Sequence, residues 1–244
     1  MAPPRSQLTR YSYAMSISRR NLLKATAVLG ASAFEFLNSS PAEAETIDIQ
    51  HGSRSIKKVA LTFHGAGAPD YADPLLKLFK STGTKVSVFA VGTWLVNEPT
   101  VASRVIDDGH DLGNHTMTHT QMKTISAKRV ETEISGCANE LTKLIGNHGA
   151  WFRPSGTQFS TSTIRKAAVK HGYGQCVSYE VDSQDFMDVS TTKVVSNVMN
   201  NVKNGSIISM HFGHKVTLDA MPTILEKLHA AGITPVTLTE LLSV

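Results

Sequence analysis

The feature that most constrains the fold is a regular alternation of two apolar patterns along the chain. Short, wholly apolar runs predict buried strands, and the stretches between them carry apolar residues at helical spacing. The predicted strands cover residues 59–63, 86–91, 173–181, 206–210 and 233–238, and the predicted helices cover residues 99–108, 126–145, 163–171, 191–199 and 218–231. This alternation favours an α/β fold of one domain, a parallel sheet or barrel wrapped by helices.

The first 44 residues have the layout of a bacterial export signal. Arg19 and Arg20 form a twin-arginine pair, residues 25–37 are mostly apolar, and a small-x-small pattern ends at Ala44. We predict twin-arginine export, cleavage after Ala44, and a catalytic domain of residues 45–244 in the periplasm, in the cell wall or outside the cell. The apolar run is shorter than the ~20 residues that a bilayer requires, so no stable membrane insertion is expected after cleavage.

The net charge limits the binding partners to be expected, and the cysteine content limits the disulfides. A net charge of +4 over 244 residues is modest and comes without an aromatic–basic stripe, so nucleic acid is not an expected partner. An oxidising compartment would permit a disulfide between Cys137 and Cys176, but two buried free thiols are the favoured expectation. The sequence predicts no oligomeric state.

Ionisable side chains occur at five places along the chain, each after a predicted strand or after the helix that follows one. In α/β folds the strand ends carry the reacting groups, so the coincidence predicts one active centre. The residues concerned are His64 and Asp70, then His115 and His119, then Arg153, then Asp182 and Asp185, and finally His211.

His115 and His119 form the strongest pair in this set. A four-residue spacing on a helical turn would bring two imidazoles within reach of one divalent metal, most simply zinc. The pair lacks the glutamate of the H-E-x-x-H pattern, so a zinc protease is not indicated.

Five short motifs in order resemble those of the polysaccharide deacetylase family of carbohydrate esterases. The resemblance extends from Lys58 to Leu242, and the motifs are residues 62–65 (T-F-H-G), 115–119 (H-T-M-T-H), 152–154 (F-R-P), 182–186 (D-S-Q-D-F) and 208–211 (I-S-M-H). It implies a distorted (β/α) barrel of seven or eight strands, a divalent metal, and removal of N-acetyl groups from acetylated sugars.

The resemblance also implies roles for single residues. His115 and His119 would hold the metal, and His211 would protonate the departing amine. Arg153 and Asp182 would form a charged pair that orients the base. A backbone N–H near Gly156 would stabilise the oxyanion.

Two departures concern the first motif, which is T-F-D-D in the family. His64 stands where the family has its base, and Gly65 stands where it has a metal ligand. Three roles are open to His64: a base in place of aspartate, a third metal ligand beside His115 and His119, or a filler in a degenerate site. Asp70 is a further candidate ligand, although a turn residue is the simpler interpretation.

Three functions follow from these alternatives. The first is a metal-dependent hydrolase that removes N-acetyl groups from peptidoglycan, chitin-like oligomers or another acetylated glycan. The second is an amide or imide hydrolase of the same fold that acts on small molecules. The third is a catalytically degenerate protein that binds a glycan.

Overall fold

The computed structural model describes residues 48–67 and 69–243, so the predicted export signal lies outside the described residues. The strands in this part are β1 (Lys58–Gly65), β2 (Ser87–Ala90), β3 (Asp111–Asn114), β4 (Val181–Asp182), β5 (Ile207–His211) and β6 (Thr234–Val236). The helices are α1 (Pro69–Thr82), α2 (Gly92–Asn97), α3 (Pro99–Asp107), α4 (Ala127–Ile145), α5 (Ser162–Lys170), α6 (Thr191–Met199), α7 (Lys215–Ala230) and α8 (Leu238–Leu242). None of these helices is long and apolar enough to cross a membrane.

The strands form one parallel sheet in the order β3-β2-β1-β5-β4, and β6 pairs with the first residues of β1. Single bridges extend the sheet from Asn114 of β3 to Phe152, and from Phe152 to Cys176. Because β4 follows Cys176 closely and pairs with β5, these bridges bring the two ends of the sheet together. The predicted distorted α/β barrel is therefore confirmed.

The pleat of β1 separates the two faces of the barrel wall. Val59, Leu61 and Phe63 belong to the large apolar cluster that includes residues of helices α1, α3, α6 and α7. Ala60 belongs instead to a second cluster with residues of the neighbouring strands and α8. Since side chains alternate along a strand, His64 shares the face of Ala60, whereas Gly65 lies on the opposite face.

Helix ends follow local signals that the sequence carries. Ser126 accepts a hydrogen bond from the backbone N–H of Arg129 and begins α4, and Gly146, at φ 77°, ends it in the left-handed region. The predicted helix over 126–145 is thus confirmed almost to the residue.

The predicted strand over 173–181 is mostly wrong. Only Val181 and Asp182 form a regular strand there, and Cys176 and Val177 make isolated bridges. Residues 174–175 interrupt pairing because the chain turns after α5 before it reaches the sheet. The last predicted strand also shortens to Thr234–Val236, since Thr237 caps α8.

Candidate active site

Three imidazoles meet where β1, β3 and β5 end. The register of the sheet sets His64 beside His211, and His115 follows β3 directly. The ring centroids of His64 and His115 are 4.1 Å apart, and those of His64 and His211 are 4.5 Å apart. They open onto a cleft of about 390 Å³. The other residues that line this cleft are His119, Gln121, Arg153, Pro154, Gly156, Thr157, Gln158, Tyr179, Phe186 and Ser209.

Asp185 fixes the orientation of His211. Its carboxylate accepts hydrogen bonds from His211 Nδ1 at 2.7 Å, from the His211 backbone N–H at 2.8 Å and from the Thr217 hydroxyl at 2.6 Å. The side chain of Asp185 is fully buried. Burial alone would favour the neutral acid, but the hydrogen bonds from His211 outweigh it and lower the pKa of Asp185. A buried carboxylate therefore holds the imidazole in one orientation.

Asp185 was not among the predicted catalytic residues, which included Asp182 instead. Asp182 contacts the chain locally, because its Oδ1 accepts the backbone N–H of Gln184 at 2.9 Å. The sequence signal for Asp185 was available, since D-S-Q-D offers two carboxylates. What the sequence could not show is that Gln184 adopts φ 57°, a left-handed turn that separates the two carboxylates.

Arg153 is buried, with 1% of its surface exposed. It donates to Thr62 Oγ1 at 2.9 Å, to the Ser178 carbonyl at 2.9 Å and to the Val177 carbonyl at 3.3 Å. Its guanidinium lies 4.2 Å from the ring centroid of Phe89. Burial lowers the pKa of Arg153 to about 9.

The predicted charged pair of Arg153 and Asp182 is wrong. In the part of the chain that the structure describes, no carboxylate lies within ion-pair distance of Arg153. Its hydrogen bonds go instead to neutral oxygens and to Nε2 of His64, at 3.4 Å. The residue that faces Arg153 from β1 is thus the histidine that replaces a carboxylate of the family motif.

His115 and His119 are brought together, but not by a helix. They lie on the loop after β3, where Thr116 and His119 have φ values of 69° and 56°. Their ring centroids are 5.1 Å apart. The predicted helical turn is therefore wrong. Two residues in the left-handed region fold the chain back instead.

His115 is buried and has a free ring nitrogen. Its Nδ1 lies 2.9 Å from the carbonyl oxygen of Arg153, which can only accept, so Nδ1 carries the proton. Its Nε2 then holds a lone pair, and this atom has no hydrogen-bond partner among the described residues. Burial lowers the pKa of His115 well below its usual value, and nearby His119 lowers it further. The neutral ring presents an acceptor without a donor.

The residues present do not fit a metal held by three protein ligands. His115 Nε2 and His119 supply two nitrogens, but Gly65 offers no donor. A Cβ at Gly65 would lie 2.9 Å from Val88 Cγ1 and 3.2 Å from Trp94 Cζ3. Across the described residues, no three His, Cys, Asp or Glu side chains are arranged to bind one ion. A zinc site normally has at least three protein ligands, so the predicted cofactor is not supported by this donor set.

Two other candidates lie away from the cleft. Asp70 is exposed in the first turn of α1 and does not line the cleft, so it is a helix residue rather than the expected turn residue. Cys137 and Cys176 are both buried and unpaired, as expected. Burial raises the pKa of Cys137 to about 12 and that of Cys176 to about 11, so neither is a reactive thiol.

The rim of the cleft joins two residues that the family resemblance includes, Phe186 and Gly156, to two glutamines that it does not. Phe186 is 50% exposed, and its ring centroid lies 5.0 Å from that of His211. Gln121 and Gln158 are exposed amides on the same cleft. Gly156 has φ 64°, and a Cβ there would lie 2.7 Å from the Gln121 side chain. A glycine therefore keeps this stretch of backbone open to the cleft.

Comparison with known proteins gives a consistent result. Residues 51–176 match the family described as polysaccharide deacetylase. The chain is 28% identical over 190 residues to a peptidoglycan-N-acetylglucosamine deacetylase of Bacillus cereus, covering 76% of this chain and 88% of that one. The matched family range ends before Asp185 and His211, so the family match itself does not cover these two residues.

Solved structures include relatives with altered activity. One is a CE4 family pseudoenzyme from Bacillus anthracis, with 26% identity, a TM-score of 0.74, and coverage of 80% of this chain and 68% of that chain. A mutant of the same pseudoenzyme with restored enzymatic activity matches with the same identity and TM-score, and covers 80% of this chain and 70% of that one. Similarity to this group therefore does not by itself establish turnover.

Proposed function

Because this chain belongs to the polysaccharide deacetylase family, a hydrolase family acting on carbon–nitrogen bonds, we propose that it removes N-acetyl groups from an acetylated glycan. The observation that carries the proposal is the buried Asp185–His211 pair at the cleft. Burying a carboxylate is costly unless it is well partnered, and binding alone requires no such pair. The predicted export signal and the relative named as a peptidoglycan deacetylase support a glycan of the cell envelope as substrate.

The cleft has the surface that a sugar ring requires. The exposed face of Phe186 offers an apolar platform, and Gln121 and Gln158 offer both donors and acceptors to hydroxyl groups. Such a mixture of aromatic and amide groups is typical of sites for polar, ring-shaped ligands.

Hydrolysis of an N-acetyl amide forms a bond from water oxygen to the carbonyl carbon and breaks the bond from that carbon to nitrogen. In the proposed reaction, His115 Nε2 accepts a hydrogen bond from the attacking water. The backbone near Gly156 donates to the developing oxyanion. One proton of the water passes to His211 and from it to the departing nitrogen, while the other stays on the new carboxyl group, so that an amine and acetic acid leave and the imidazoles are restored.

Deacetylases of this family are generally metal-dependent. A divalent ion, when bound in such a site, polarises the carbonyl and lowers the pKa of water. The donor set of this chain does not fit that arrangement, so no step above uses one.

A second candidate is a protein that binds the glycan without cleaving it. It is favoured by the close contact of His64 with both His211 and Arg153, which occupies both ring nitrogens of His64 and leaves neither for water. The pseudoenzyme among the structural relatives supports it.

Acetate release separates the two candidates. The full chain is incubated with N-acetylated chitooligosaccharides and with peptidoglycan, and acetate is measured beside binding to the same glycans. The proposed function predicts acetate release that His211→Gln abolishes. Binding without acetate release would support the second candidate.

A further inference from the structure

His64 is held at both of its ring nitrogens by groups of different character. Its Nδ1 lies 2.8 Å from Nε2 of His211, and its Nε2 lies 3.4 Å from Nη1 of Arg153. We propose that His64 is a relay residue, which donates its Nδ1 proton to His211 and does not ligate a metal ion.

The direction of each hydrogen bond follows from Arg153, the end of the network that can only donate. Arg153 has donors and no acceptor, so His64 Nε2 must accept and His64 Nδ1 must carry the proton. His211 Nε2 then accepts that proton, and His211 Nδ1 donates to Asp185 at 2.7 Å. Every nitrogen of the two rings is satisfied by one arrangement of two neutral imidazoles.

Charge gives a second, independent reason. Metal ligation through His64 Nε2 would set a divalent cation beside the buried guanidinium of Arg153. No carboxylate among the described residues pairs with that guanidinium. The metal ion and the guanidinium would then be neighbouring buried cations, which repel strongly in a medium of low dielectric constant. Ligation through Nδ1 would instead break the hydrogen bond to His211.

The role that follows for His64 is to position a proton. The hydrogen between His64 Nδ1 and His211 Nε2 lies between two rings that both line the cleft. This consequence rests on the proposed function, but the tautomers and the metal preference of His64 do not. Both can be measured on the protein without substrate.

Paired variants of His64 test the ligand question. The amide nitrogen of asparagine occupies about the place of Nδ1, and that of glutamine about the place of Nε2. Zinc is titrated calorimetrically into the full chain and into His64→Asn, His64→Gln and His115→Gln. We expect His64→Asn and His64→Gln to bind zinc as the unaltered chain does, whether that binding is saturable or undetectable. Saturable zinc binding that both His64 variants and His115→Gln abolish alike would overturn the proposal in favour of a three-histidine site.

Nitrogen NMR of histidine-labelled protein tests the relay directly. We expect His64 and His211 both in the Nδ1-protonated tautomer, with the His64 signals assigned by their loss in the variants. His64→Asn should preserve the His211 signal, because its amide can still donate, and His64→Gln should shift it. A His64 ring protonated at Nε2 would overturn the proposal. Absence of acetate release with these tautomers intact would reject the proposed function alone.

Discussion

The two ends of the histidine cluster differ in how completely their polar atoms are satisfied. At the His211 end, both ring nitrogens and both carboxylate oxygens of Asp185 have partners within 2.8 Å. At the His115 end, a buried Nε2 has no partner in the part of the chain that the structure describes. At the His211 end the protein itself supplies every hydrogen-bond partner. At the His115 end no described residue donates to the acceptor. A buried unpartnered acceptor is costly, so this contrast indicates which side of the cleft is shaped for an outside molecule.

The largest effect is expected from Asp185→Asn, compared with Asp182→Asn. In the first variant an amide replaces the carboxylate that accepts three hydrogen bonds, and His211 loses its fixed orientation. We therefore expect kcat for acetate release to fall by roughly 10²–10⁴-fold. Asp182→Asn should leave kcat nearly unchanged, because an asparagine can still accept the backbone N–H of Gln184. Equal losses in the two variants would remove the distinction between the carboxylates and restore the original assignment to Asp182.

Arg153 connects the two ends, and its removal should cost stability. Arg153→Met leaves the Val177 and Ser178 carbonyls without their side-chain donor in a buried place. We expect the free energy of unfolding to fall by roughly 2–5 kcal/mol in urea titrations.

Lys143→Met is the matched control, because Lys143 makes an ion pair with Glu140 from a side chain that is 69% exposed. Its effect should stay below about 1 kcal/mol. If the two variants lost equal stability, the buried hydrogen bonds of Arg153 would carry no special weight.

The unpartnered end is tested by His115→Gln against His119→Gln. His115 is 1% exposed and presents a fixed lone pair, whereas His119 is exposed. Loss of that acceptor should lower kcat by about 10²-fold, and His119→Gln should cost less. The two rates are measured on one chitooligosaccharide at saturating concentration. A greater loss for His119→Gln would assign the acceptor role to the outer histidine.

The smallest effect is expected from His110, a buried histidine outside the cleft that can be compared with His115. It too is buried, and within residues 48–67 and 69–243 its Nε2 has no partner, but its Nδ1 accepts the backbone N–H of Val86. Burial, and to a lesser degree Lys85, lowers the pKa of His110 from 6.5 to about 4. Since the unfolded chain binds this proton more readily, stability should fall as the pH drops from about 6.5 to about 4.

His110→Asn keeps an acceptor near the Nδ1 position and cannot be protonated in this range. The variant should therefore show a shallower decline in unfolding free energy over the same pH interval. An unchanged slope would mean that other groups account for the acid sensitivity.

Much of the fold could be predicted from the sequence because strand and helix patterns have different periods. The strand ending at His64 and the helix over 126–145 are clear in this respect. The site was harder to predict, because side-chain direction depends on single backbone torsions. Positive φ values at Thr116, His119 and Gln184 decide which imidazoles and which carboxylate face the cleft. No sequence pattern predicts a positive φ value at threonine, histidine or glutamine.

The packing around Gly65 limits what position 65 can hold. A Cβ at position 65 would lie 2.9 Å from Val88 Cγ1 and 3.2 Å from Trp94 Cζ3, so any side chain there crowds both neighbours. A carboxylate at position 65 therefore requires the valine or the indole to move aside. Residues that do not line the cleft thus limit which side chains this strand end can present.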